Sequence, residues 1–134
     1  MKKLFNTALV YGILGLALGV FYREFTKLNG FTGVTQLSFL HVHTLVLGMF
    51  FFLIVLLLNK EFNLSEHKYF NIWFYLYNIG FLGTISVMIT RGTMQVLQYN
   101  MNGLNHVAGL FHAILGVAII WFMVILGNHL NQQN

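Results

Sequence analysis

The chain has 134 residues, of which 57% are hydrophobic, 16% aromatic and 7% charged, with a formal net charge of +4 and a mean hydropathy of +0.73. That composition excludes an ordinary soluble domain and leaves no room for one beside a membrane bundle. The absence of cysteine excludes disulfides, thiolate metal sites and cysteine nucleophiles, and seven basic residues scattered over loops and ends make no patch for nucleic acid.

Four apolar stretches reach the roughly 20 residues needed to cross about 30 Å of hydrocarbon. They run over about 5–22, 36–58, 69–90 and 104–128, so the expected fold is all-α, an integral membrane four-helix bundle forming one domain over 1–134. The first stretch follows Met1-Lys2-Lys3 and ends at Arg23-Glu24 with no small-residue cleavage site before that pair, so it reads as a retained helix. Its Ala8, Gly12, Gly15 and Gly19 have the spacing of a close helix contact. The second carries His41 and His43 about a turn inside its start, followed by Gly48. Near the start of the third, Tyr69, Trp73, Tyr75 and Tyr77 read as an interfacial aromatic belt, and Arg91 stands at its end. The fourth has His106 and His112 in its first half, with Gly109, Ala113 and Gly116 as a further contact stripe. The polar tail Asn131–Asn134 is expected to fray.

Four spans bring both termini and the second loop to one face, with Lys2, Lys3, Lys60 and Lys68, against Arg23, Lys27 and Arg91 on the other. This bias favours cytoplasmic termini. Because alternate helices run in opposite directions, Arg23, His41, His43, Arg91, His106 and His112 all fall in the outer layer. His67 and His129 sit at the inner boundary as solvated residues.

An imidazole in hydrocarbon is costly without a partner, so the His41/His43 pair is a functional-site candidate. Residues two apart on a helix diverge by about 200°, so the pair serves one site on each flank rather than chelating one ion. Aspartate is absent, and Glu24, Glu61 and Glu66 lie in loops or at helix ends, which disfavours carboxylate metal sites and two-carboxylate catalysis. Haem fits this chemistry better: imidazole is a good axial ligand, the macrocycle wants an apolar slot, and its propionates want arginine at the surface. Arg23 and Arg91 stand at the required end, although snorkelling at a helix end is the competing reading for both. Gly48, seven residues beyond His41 on nearly the same face, either clears space for a macrocycle or serves a helix contact. His106 and His112 lie about 240° apart around their helix and are secondary candidates, better read as hydrogen-bonded contact residues, with His106 alternatively reaching a propionate.

The run Leu40-His41-Val42-His43-Thr44-Leu45-Val46-Leu47-Gly48 resembles the paired-histidine helix in subunit I of haem-copper oxidases, over about ten residues. The whole chain also looks like an uncharacterised family of small four-helix bacterial membrane proteins. In the oxidases the two histidines ligate two different haems, and the subunit is built as three four-helix arcs. By that resemblance this chain is similar to one arc, His41 and His43 match the paired haem ligands, and Arg91 lies where propionate-binding arginines occur. The histidine pair and histidine–tyrosine motif of the copper site have no counterpart here, so oxygen reduction is not implied.

Taken together, these features give a homotrimer in which each slot between subunits receives His41 from one protomer and His43 from its neighbour. The expected cofactor is haem b, one per protomer and shared between subunits, since no Cys-Xaa-Xaa-Cys-His attachment motif exists. The expected function is a b-type cytochrome of the bacterial cytoplasmic membrane that transfers electrons, with a quinol or redox protein as partner, rather than an enzyme with its own substrate. Two other classes compete: a copper or zinc carrier using His41, His43, His106 and His112, and a cofactor-free channel or scaffold.

Overall fold

The computed structural model describes residues 1–99 and 102–132. Among them, four helices are long and apolar enough to cross a membrane: α1 (Lys2–Leu28), α2 (Leu37–Phe62), α3 (Phe70–Val96) and α4 (Leu104–Gln132). The chain is thus all-α and, by helix length and composition, a multi-pass membrane protein. Each helix outruns its apolar stretch; α1 continues past Tyr22 to Leu28 and α3 past Thr90 to Val96. A 27-residue helix is about 40 Å long, the thickness of a bilayer with its headgroup layers, so the extra turns place polar side chains there. Helix also persists through Gln132 into the tail expected to fray, whose last two residues lie outside the described ones.

Glycine sets how closely the helices approach. On α1, a Cβ added at Gly12 would meet Met49 Sδ at 2.9 Å and one at Gly15 would meet Leu45 Cδ2 at 2.8 Å, so the small stripe of α1 packs on α2 as its spacing predicts. The α4 stripe does not behave this way. Nothing lies within 4 Å of a Cβ at Gly109 or Gly116, and Ala113 is exposed. The close approach of α3 and α4 comes instead from α3, where Gly80 abuts the Leu115 backbone, 2.9 Å from its would-be Cβ, and the Phe111 ring covers Gly83.

The inner half, at the end bearing Met1 and Lys60, is filled with aromatic rings. Trp73 and Tyr77 are fully buried there, which corrects their reading as interfacial belt residues; only Tyr69 and Tyr75 of that group face outward. The 3.6-residue period explains the split, since Phe70, Trp73, Phe74, Tyr77 and Phe81 share the buried face of α3. Burial is tolerated because the polar atoms find backbone partners: Trp73 Nε1–H donates to the Ala118 carbonyl at 2.8 Å and the Tyr77 hydroxyl to the Leu47 carbonyl at 2.7 Å. Phe51 stacks on Tyr77 at 4.4 Å between centroids and meets Phe122 of α4 at 5.7 Å.

Two ties position the outer half. Thr35 Oγ1–H donates to the Gly92 carbonyl at 2.8 Å and the Gln36 N–H donates to Gln95 Oε1 at 2.8 Å, anchoring the start of α2 on the last turns of α3. Gly92 is required there, because its would-be Cβ lies 2.7 Å from the Leu37 nitrogen. Immediately beyond His43, α2 widens into a π-helical stretch over Thr44–Phe50 before returning to α-helix. Such stretches concentrate at functional sites.

Candidate cofactor site

The paired histidines lie on opposite flanks of α2, as residues two apart on a helix must. His41 packs toward α1, its Cβ and Cγ 3.5 and 3.6 Å from the would-be Cβ of Gly19. Its Nδ1 is buried and, among the described residues, has no hydrogen-bond partner. His43 faces the other way, into a cleft of about 330 Å³ lined by Gln36 just before α2, Phe39 of α2, Val87, Met88 and Arg91 of α3, and Ala108 and His112 of α4. Its volume is at the small end of the range for ligand sites, and its lining is largely apolar.

Both histidines in the cleft are anchored alike. His43 Nδ1 lies 3.0 Å from the Phe39 carbonyl and His112 Nδ1 lies 2.8 Å from the Ala108 carbonyl, one turn back in each helix. A carbonyl can only accept, so Nδ1 carries the proton in each ring and Nε2 keeps its lone pair. This is how ligating imidazoles are usually held. His129 makes the same bond to Ile125, at 3.1 Å, beside His67 at the inner end, so the bond matters only together with the cleft.

Arg91 links two environments. It lines the apolar cleft and also a neighbouring polar hollow of about 260 Å³ with Gln95, Tyr99, Asn102 and Asn105. Among the described residues its guanidinium has no carboxylate partner and no hydrogen-bond acceptor. A cation so placed suits a ligand that is apolar in its body and anionic at its edge.

The other residues singled out by sequence are placed elsewhere. Arg23 Nε pairs with Glu24 Oε1 at 3.2 Å on the exposed side of α1 and lines neither hollow. Gly48 clears no macrocycle space in this chain: its would-be Cβ lies 2.7 Å from Tyr11 Cβ and 3.1 Å from Phe81 Cε1, so it serves a helix contact. His41 and Gly48 both lie against α1, so the face they share closes on a neighbouring helix instead of leaving a slot. His106 is exposed on the first turn of α4 and does not line the cleft. Sequence reasoning set His112 aside because it shares no face with His106. The relevant relation was its depth against His43 on another helix.

No group of three or more histidine, cysteine or acidic residues that could hold a metal ion occurs among the described residues. The four histidines proposed for copper or zinc are therefore not gathered within one chain. No curated protein and no solved structure matches the chain. A family model described as "Protein of unknown function (DUF2871)" matches residues 1–129.

Proposed function

We propose that this chain, which belongs to the DUF2871 family, is a b-type cytochrome that holds haem non-covalently through His43 and carries single electrons within the membrane. The observation that carries this reading is the convergence, in one apolar cleft, of His43, whose Nδ1 is anchored on the Phe39 carbonyl, and Arg91 at the polar mouth, its guanidinium unpaired among the described residues. Bound haem supplies a one-electron couple between ferric and ferrous iron. The remaining work falls to the chain: Phe39, Val87, Met88 and Ala108 exclude water, His43 presents its lone pair, and Arg91 neutralises the anionic edge. With no acid or base beside the cleft other than histidine, the site is suited to carrying electrons rather than to transforming a substrate. The exposure of His112 at the cleft fits exchange with a quinol or a membrane redox protein.

A cytoplasmic position for the termini, in a bacterial cytoplasmic membrane, accords with this use of Arg91. With Arg91 committed to an anion, Arg23 and Lys27 remain among the outer cations counted, against Lys2, Lys3, Lys60 and Lys68 inside.

A second arrangement keeps haem but shares it in a homotrimer resembling three oxidase arcs, with His41 of one copy opposite His43 of the next. The buried Nδ1 of His41, unpartnered among the described residues, favours it, since such an atom calls for a partner.

Absorption spectra before and after dithionite, with a pyridine haemochrome count, test the proposal. Wild-type protein should show a Soret band and sharp reduced bands at about one haem per chain, and His43→Ala should lose them. A His43→Ala spectrum identical to wild type would reject His43 as ligand.

A further inference from the structure

Resting on the haem reading above, we infer that His112 supplies the second axial ligand from within the same chain, so that α2 and α4 of one protomer complete a bis-histidine site. Both helices start at the outer end and run inward. His43 lies about 9 Å below the first residue of α2 and His112 about 12 Å below that of α4, taking 1.5 Å per residue. The two imidazoles therefore stand at nearly one depth. Each lines the cleft together with the residue one turn before it, Phe39 and Ala108 respectively, so each lies on the cleft-facing stripe of its helix. Each also has Nδ1 against that same residue's carbonyl, leaving two Nε2 lone pairs available to one cleft.

Two rivals for the position are visible. Met88 lines the cleft and its thioether is an accepted haem ligand. His41 of a neighbouring copy is the other, but its ring packs toward Gly19 of its own α1 and does not line this cleft. Arg91 of α3 stands between the two histidine-bearing helices in the lining, so one chain contains both ligands and the counter-cation.

The test uses full-length protein in detergent loaded with haemin and read by ferric electron paramagnetic resonance and optical spectra, with the thermal melt of each variant as a folding control. Low-spin bis-imidazole signals are expected in wild type, Met88→Leu and His41→Phe. His112→Ala should lose them for a high-spin spectrum, and His112→Met should convert them to a histidine–methionine pattern. Because His112 is exposed on an open cleft, added imidazole should restore the low-spin signal of His112→Gly, which a merely structural role would not produce. Unchanged low-spin signals in His112→Ala, or their loss in Met88→Leu with a normal melt, would overturn the inference while leaving the haem reading intact. Wild-type protein that takes up no haemin would sink the haem reading itself.

Discussion

Arg91 shows how a single residue connects placement to chemistry. A guanidinium without an anion, set between an apolar cleft and a polar hollow, is positioned for the carboxylates of a ligand whose body lies in the cleft. Hydrogen bonds to charged groups contribute about 1.5–3 kcal/mol, so Arg91→Leu should weaken haem retention by about 10- to 100-fold. Losing a positive charge beside the iron should also lower its midpoint potential, whereas Arg91→Lys should keep most of that effect. Redox titration with a haem-dissociation assay checks both; an unchanged potential and retention in Arg91→Leu would remove Arg91 from the site. At this scale the sequence was partly legible. The scarcity of polar groups in apolar stretches marked His41, His43 and Arg91, and the two-residue spacing of the histidines gave their divergence. The meeting of His43 and His112 at one cleft was not legible, because it depends on how α2 and α4 sit against α3, and no spacing along one helix encodes that.

Among the elements, α2 carries the most consequence for the site. Its π-helical stretch over Thr44–Phe50 begins directly after His43, and the Tyr77 hydroxyl on α3 holds the Leu47 carbonyl within it at 2.7 Å. In hydrocarbon a backbone carbonyl left unbonded has no water to turn to. Tyr77→Phe should therefore cost about 1–3 kcal/mol of stability. Gly48→Ala, forced against Tyr11 and Phe81, should cost a similar 1–3 kcal/mol. Denaturant-induced unfolding in micelles checks both, and wild-type stability in the two variants would mean that neither contact fixes this stretch. The apolar run of α2 announces a helix and nothing in it announces the wider turns. The aromatic residues of α3 misled for a related reason: tyrosine and tryptophan near a span's end fit the headgroup layer, and only the carbonyls of Leu47 and Ala118 make a buried position acceptable for Tyr77 and Trp73.

Across the whole molecule, the division of labour is between a closed inner half and an open outer half. Phe51, Phe52, Trp73, Tyr77, Phe81 and Phe122 lock the inner ends together, so α2 and α4 can separate above them without loss of the bundle. Composition alone made the four spans legible, and the alternation of helix direction put Arg23, Arg91 and four of the six histidines in one layer. It could not show that α4 turns its glycines away from the bundle, because packing against Gly80 and Gly83 of α3 decides that face. The most direct test of the central claim is titration of the purified full-length chain with haemin, followed optically. A bis-histidine cytochrome predicts saturation at one haem per chain with a six-coordinate, low-spin spectrum that sharpens on reduction; a titration that never saturates and retains the spectrum of haemin in detergent alone would contradict it.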